Sequence, residues 1–255
     1  MLARQRQEVI LDEVRTTGGA RVSELVERLG VSDMTIRRDI EVLAGRGLVT
    51  RVHGGATVAG SSVDEPGFAA KSTLHTAAKQ AIAAAAVQLL EPGASVALSA
   101  GTTTHAVASA LVGIPRLTVV TNSLRVAEVL YESGGDDMTV VLTGGERTPS
   151  DALVGPLAVA ALRRLHVDWL LMGVHGMDAE AGFTTPNLAE AETNRALVAS
   201  ARRVAVVADN SKWGVVGLST IATLTEVDVV VSDGGLQPDA RQILESSCGR
   251  VVLAA

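Results

Sequence analysis

Residues 22–56 read VSELVERLGVSDMTIRRDIEVLAGRGLVTRVHGGA, and this stretch decides the architecture of the N-terminal part of the chain. Val22, Leu25, Val26 and Leu29 recur at i, i+3, i+4 and i+7, the period of one helix face, with Ser23 as a suitable N-cap and Gly30 as terminator. Ser32 suits the cap of the next helix, whose Ile36, Ile40 and Leu43 form a second apolar stripe before Gly45 and Gly47 break it. Two short amphipathic helices joined by a tight Gly30-Val31 turn are what a helix-turn-helix requires. Beyond them, residues 48–52 predict a strand, Gly54-Gly55 a turn and residues 56–58 a returning strand, which together make a wing.

With Ile36 and Ile40 facing a core, Arg37 and Arg38 project from the exposed side near the N-terminal half of their helix. A recognition helix meets base edges with that part, and arginine pairs with guanine O6 and N7. An isolated Arg-Arg pair is more often a solvated face; the preceding helix, the turn and the wing reverse the balance here. Ser32 and Thr35 join Arg37 and Arg38 as candidate DNA contacts. Arg51 and His53 belong to the wing, where a hairpin can enter the minor groove or lie along phosphate.

Working outward, residues 4–16 predict a first helix that ends near Gly18-Gly19. On the other side, residues 60–67 (GSSVDEPG) have the composition of a linker. The expected domains are therefore 1–58, a winged helix-turn-helix; 59–74, a linker; and 75–255, a larger domain. In that domain, short β-branched runs at 95–99, 117–121, 138–142, 168–173, 204–209 and 228–232 alternate with helical stretches at 76–90, 104–112, 123–133, 155–165, 188–201 and 238–247. Such alternation predicts an α/β fold with a mainly parallel sheet covered by helices on both faces.

Composition sets further bounds. With 47% hydrophobic and 20% charged residues, the 255-residue chain is too apolar for general disorder. Cys248 has no second thiol for a disulfide or a metal pair, so a reducing cytoplasm and no metal site are expected. No uncharged apolar run approaches membrane-spanning length, which points away from a membrane. The net charge of −6 hides an uneven distribution: residues 1–57 hold nine arginines and eight acids, the remainder thirteen basic and twenty acidic residues. Net charge therefore says nothing for DNA, and the case rests on where the basic groups point.

Several strand-to-helix turns of the larger domain carry ligand-binding chemistry. Gly101, Thr102, Thr103 and Thr104 follow an apolar strand and open a helix, so backbone N–H groups and hydroxyls suit a phosphate there, although such a turn is as often a plain cap. No Gly-Lys-Ser/Thr and no GxGxxG are present, and no cofactor is expected. Asn122 and Ser123 end the next strand on the same sheet edge, where open α/β sheets gather ligands; Ser123 also suits a helix cap. Asp178 can accept from sugar hydroxyls, and Lys212, one of three lysines in the chain, suits a phosphate or a carbonyl oxygen. Glu192 and Arg195 sit near a helix start, where an acid is also favoured by the helix dipole alone.

The run from Val22 to Ala56, above all TIRRD and RVHGGA, resembles the N-terminal domain of DeoR-type bacterial regulators. The resemblance continues through Lys79, AGTTTH, VVTNS, LTGGE, ADNSKWG and VVVSD, and so covers nearly the whole chain. It implies a repressor, less often an activator, of carbohydrate operons, with a sensor domain similar in fold to ribose-5-phosphate isomerase. It also implies that Gly101 to Thr104 hold phosphate, that Asp178 and Glu192 match acidic positions of the isomerase site, and that Lys212 faces the ligand. Ser99 stands where many members have an aspartate, Arg195 where a lysine is common, and His175 at a variable place; Ser99 and Arg195 are kept as candidate ligand contacts.

The expectation is thus a non-enzymatic transcription regulator, acting as a homo-oligomer, with operator DNA and a phosphorylated sugar as partners. Two alternatives stand beside it: a phosphosugar isomerase or deaminase-like catalyst using Asp178 or Glu192 as base, and a winged helix used for protein contact.

Overall fold

The computed structural model describes residues 2–17, 19–45, 48–52, 54–58, 67–133, 135 and 137–254. The chain forms two compact units, Met1–Asp64 and Glu65–Ala255.

The first unit runs α1 (Ala3–Thr17), β1 (Gly19–Arg21), α2 (Val22–Leu29), α3 (Asp33–Gly45), β2 (Val49–Val52) and β3 (Gly55–Val58). Ile10 and Val14 of α1, Leu25 of α2 and Ile36, Ile40 and Leu43 of α3 close one core with Val49 and Ala56 of the wing. Between α2 and α3 the chain turns through Gly30 at φ 62°, a left-handed conformation that costs glycine nothing. The three helices and the wing are as the apolar stripes predict; β1 is an addition. It pairs antiparallel with β3, giving the order β1-β3-β2. Because β1 carries the chain into the helix, α2 starts at Val22 rather than after a Ser23 cap, and Glu24 accepts from the Arg21 N–H at 3.4 Å. Buried Asp39 fastens α3 to α1: Arg6 Nε donates to Asp39 Oδ2 at 2.5 Å and Gln7 Nε2 to Oδ1 at 2.9 Å.

In the second unit, α4 (Phe68–Ser72) and α5 (Thr76–Ala86) precede β4 (Ser95–Leu98), α6 (Thr102–Leu111), β5 (Thr118–Thr121), α7 (Leu124–Ser133) and β6 (Thr139–Leu142). The hairpin β7 (Glu146–Arg147) and β8 (Leu153–Val154) leads to α8 (Pro156–Leu162) and β9 (Val167–Met172). Next come β10 (Gly176–Asp178), β11 (Gly182–Thr185), α9 (Leu188–Ser200), β12 (Ala201–Val207), β13 (Ser219–Ala222), β14 (Val229–Asp233), α10 (Pro238–Ser247) and β15 (Arg250–Ala254).

Seven strands form one parallel sheet in the order β15-β14-β12-β9-β4-β5-β6. Alternate residues of each strand serve opposite faces, as the two-residue period requires. Val96, Leu98, Leu171, Ala205 and Val207 pack with α5, α6 and α7. Ala97, Leu170, Met172, Val204 and Val206 pack with α8, α9 and α10. From β4 the chain winds outward to β5 and β6, then returns to the other side of β4 at β9 and continues to β15. The winding therefore reverses between β4 and β9, a topological switch point of the kind at which open α/β sheets place ligands beyond the strands' carboxyl ends.

All six expected strands lie in this sheet. The seventh, β15, was not expected, nor was the smaller antiparallel sheet β10-β11-β13. The expected linker 59–74 also needs correction over its described part: residues 67–74 contain α4 and belong to the α/β unit.

Candidate DNA-reading surface and ligand site

The start of α3 is built as its sequence suggests. Ser32 Oγ accepts from the Thr35 N–H at 3.3 Å and lies 2.8 Å from Thr35 Oγ1, capping the helix. Burial of Ile36 and Ile40 turns Arg38 to solvent, where it has no hydrogen-bond or ion-pair partner among the described residues. Arg37 bridges back to Asp33 one turn earlier, with its Nη2 3.2 Å from Asp33 Oδ2. Met34, 74% exposed, completes an outward surface with Ser32 and Arg38. On the wing, Arg51 Nη1 lies 2.7 Å from Glu41 Oε1 of α3, both side chains being exposed. His53 lies outside the described residues. Pairs such as Arg37–Asp33 and Arg51–Glu41 are exposed and worth little, so a phosphate can displace the carboxylate at slight cost.

At the switch point between β4 and β9, buried Ser99 follows β4 directly; its Oγ accepts from the Gly173 N–H beyond β9 at 3.0 Å and donates to Ala100 O at 3.3 Å. Gly101 follows at φ 149°, where a Cβ would lie 3.2 Å from Thr104 Oγ1, so only glycine passes the chain into α6 unstrained. Thr104 is buried and its hydroxyl donates to Gly101 O at 3.0 Å, while Thr102 and Thr103 open the helix, whose first N–H groups have no acceptor within it. Asn122, buried at the end of β5, ties two turns together. Its Oδ1 accepts from the Ala100 N–H at 3.0 Å and its Nδ2 donates to Leu153 O at 3.1 Å. Ser123 Oγ accepts from the Val126 N–H at 3.2 Å and so caps α7.

Beyond β12, the neighbour of β9 on the other side of the switch point, Asp209 is 1% exposed. Its Oδ1 accepts from the Ser211 N–H at 3.1 Å and from the Ser211 hydroxyl; its Oδ2 is buried with no hydrogen-bond partner among the described residues. Burial works to raise this carboxyl, but Lys212, the Ser211 bonds and His75 outweigh it and hold it below its usual value. Lys79 enters from α5, 6% exposed, with Nζ donating to Lys71 O at 2.6 Å. Burial pushes Lys79 down to about 8, opposed by Asp209 and aided by Lys212 and Lys71. Burial likewise lowers Lys212, which Asp209 pulls the other way.

The remaining candidates are engaged by their own elements or exposed. Asp178 sits in the β10–β11 hairpin, where its Oδ1 accepts from the N–H groups of Glu180 and Ala181, each at 2.9 Å. Glu192 is exposed on α9, and the buried acid of that helix is Glu190, whose Oε1 accepts from Thr148 Oγ1 at 2.6 Å. Arg195 is exposed and donates to Ser219 Oγ at 3.3 Å and to Thr220 O, pinning α9 to β13. His175 donates its backbone N–H to Thr184 O at 3.1 Å, a structural link within the small sheet. Residue spacing did not single out Asp209, Lys71 or Lys79 as site groups. The one signal available was scarcity: a chain with three lysines brings all three to one sheet edge.

Among the described residues, no group of three His, Cys, Asp or Glu side chains is placed to hold a metal ion, and no helix is long and apolar enough to cross a membrane.

Comparison with known proteins covers both units. The family described as DeoR-like helix-turn-helix domain matches residues 6–62, and that described as DeoR C terminal sensor domain matches residues 74–234. The HTH-type transcriptional regulator GlpR of Haloferax volcanii is 40% identical over 253 residues, which cover 99% of this chain and 98% of the relative. The glycerol-3-phosphate regulon repressor of Escherichia coli K12 is 33% identical over 241 residues, 94% of each chain. Among solved structures, ribose 5 phosphate isomerase A from Neisseria gonorrhoeae matches 55% of this chain and 54% of its own at a TM-score of 0.40 and 17% identity.

Proposed function

The chain belongs to the DeoR family of transcriptional regulators, and from that premise we propose that it represses carbohydrate-metabolism genes by binding operator DNA through α3 and the wing, under control of a phosphorylated sugar. Arg38 and Arg37 read base edges or phosphate in the major groove, with Ser32 and Thr35 at the helix start and Arg51 and His53 along the wing. Repeated half-sites are gripped by two copies of the DNA-binding unit brought together by the α/β domain. The exposed apolar side chains Leu157, Leu188, Val216 and Leu218 support self-association.

The observation that carries the ligand class is the grouping of polar residues at the switch point between β4 and β9. A glycine turn opens α6 on one side; on the other stand buried Lys79 and half-buried Lys212, together with a buried Asp209 Oδ2 that has no hydrogen-bond partner among the described residues. Lysines and helix-start N–H groups suit a phosphate, and an acceptor without a donor suits a sugar hydroxyl. One relative is by name a glycerol-3-phosphate regulon repressor, which supports the same class. The engagement of Asp178 by its own hairpin and the exposure of Glu192 support a sensor over a catalyst. The ligand acts through its different affinity for DNA-competent and DNA-incompetent states.

Replacing Arg37 and Arg38 together by alanine is expected to abolish specific operator binding while thermal stabilisation by a phosphate ester persists. The esters to screen are glycerol 3-phosphate, ribose 5-phosphate and the hexose 6-phosphates. Retention of specific DNA binding by the double variant would remove α3 from its assigned role, and measurable turnover of any ester would favour the catalyst.

A further inference from the structure

We propose that the amino-terminal edge of the seven-stranded sheet, where Arg163, Arg164, Arg202, Arg203 and Arg250 gather, is a second DNA-contacting surface that takes the phosphate backbone without reading sequence. This rests on the operator-binding reading and concerns the opposite end of the strands from the candidate ligand site.

Sheet topology brings these arginines together. Because the seven strands are parallel, the residues that enter them share one edge. Arg163 and Arg164 follow α8 and lead into β9, while Arg202 and Arg203 open the neighbouring β12, where Ala201 stands opposite Val167 and Arg203 opposite Trp169. Arg250 opens β15, two strands beyond β12 and so about 10 Å across the sheet. It stands opposite Val229, which packs on the same face as Trp169, so Arg203 and Arg250 flank one side of the edge and Arg202 the other. All five are exposed.

Their donors are not used by the fold. Elsewhere in the unit, Arg125, Arg147, Arg195 and Arg241 are each bonded to a carboxylate, a hydroxyl or a carbonyl. The guanidinium groups of Arg163, Arg164, Arg202 and Arg250 have no hydrogen-bond or ion-pair partner among the described residues. Acids at this edge turn to backbone instead: Asp168 Oδ2 accepts from the Ser95 N–H at 3.0 Å and its hydroxyl at 2.7 Å, and Asp228 Oδ2 from the Val204 N–H at 2.7 Å. The Ser95 bonds hold Asp168 below its usual value, with Arg202 and Arg203 adding a weaker pull. The Arg203 guanidinium lies over the Trp169 ring, 4.2 Å from its centre, which fixes its plane and leaves its N–H edge for an acceptor. A cavity of about 260 Å³ beside it is lined by Glu91 and Asp168 as well, so the outward arginines, and not the cavity, suit an anion. The dipole at the end of α8 accounts for cations at Arg163 and Arg164, but not for the pair that opens β12. None of the large exposed apolar side chains among the described residues lies on 163–166, 201–203 or 249–250, so the surface lacks the apolar centre of a protein interface and fits a polyanion. A chain of net charge −6 that binds DNA needs its bases grouped, and this group stands apart from α3 and the wing.

The test measures DNA affinity of the full-length protein against salt on two duplexes carrying the same selected site, one trimmed to the site and one extended by about 15 base pairs on each side. The wild type is expected to show the steeper salt dependence on the extended duplex. Arg163→Ala, Arg164→Ala and Arg202→Ala together remove exposed, unpartnered side chains and so leave the fold intact. On the extended duplex they should make the slope of log affinity against log salt shallower by about 3, roughly one per lost phosphate contact, with discrimination between selected and scrambled sequences unchanged. The corresponding triple lysine variant is expected to keep the wild-type slope, since charge makes the contact. An alanine variant with the wild-type slope on the extended duplex would overturn the proposal. A changed oligomeric state in that variant with the slope kept would overturn it too, making the edge an interface between copies. Failure of the α3 reading is distinct: it shows as sequence discrimination surviving when Arg37 and Arg38 are both alanine.

Discussion

The outward face of α3 and the carboxyl edge of the seven-stranded sheet both gather basic side chains, by opposite physical means. On α3 the arginines reach solvent, Arg38 with no partner among the described residues and Arg37 paired with an acid on its own helix. At the sheet edge, lysines from α4, α5 and the turn after β12 converge from separate parts of the chain, one of them almost wholly buried beside a buried carboxylate. A surface that must meet a long polyanion keeps its charges hydrated and ready. A site that must select one small anion desolvates them beforehand, and the cost is offset only when the ligand arrives.

The sharpest way to break this contrast is at Asp39, the buried charge of the DNA-reading unit. Asp39→Ala removes the buried carboxylate to which Arg6, 11% exposed, and Gln7 both donate, and is expected to destabilise that unit by about 3 kcal/mol. Hydrogen exchange checks it: amides of α1 and α3 should lose protection while those of β4 and β9 keep theirs. Unchanged protection in α3 would mean that the apolar core alone holds the recognition helix in place.

A smaller effect sharpens the other half. Lys79 has its folded pKa lowered to about 8 from 10.5 by burial, among Asp209, Lys212 and Lys71. The folded state therefore bears the full penalty below pH 8, and stability rises between about pH 8 and 10.5 as the unfolded chain alone keeps the proton. Lys79→Met is expected to stabilise the ligand-free protein at pH 7 by about 1–2 kcal/mol after loss of one hydrogen bond, with the gain fading above pH 8. In the wild type, ester affinity should fall over the same range as the ammonium is lost. A Lys79→Met protein that melts lower at pH 7 would show that the bond to Lys71 outweighs the buried charge.

The two regions also differ in how much of them the sequence discloses. A helix-turn-helix is written locally: Val22, Leu25, Leu29 and then Ile36, Ile40, Leu43 repeat at helical spacing, and the arginines between them must face outward. The elements missed there are short or depend on distant partners, as β1 does in pairing three residues with β3. In the α/β unit, the six core strands carry enough β-branched residues to be read; β15 (Arg250–Ala254) was missed. The site is less legible because sheet order creates it. Nothing near Lys71 distinguishes it from the polar run before it, since five residues of α4 are too few to show a period. Glu190 and Glu192 look alike in sequence, and only the facing of α9 makes one buried and the other exposed.

The central claim is that the two units are thermodynamically coupled. The most direct test is fluorescence anisotropy of the full-length protein on a duplex it selects from a random pool, with and without a saturating ester that raises its melting temperature. Coupling predicts that the ester changes DNA affinity by roughly 5- to 150-fold, with a reciprocal change in ester affinity on DNA. Equal DNA affinity with the ester bound and absent would contradict the account.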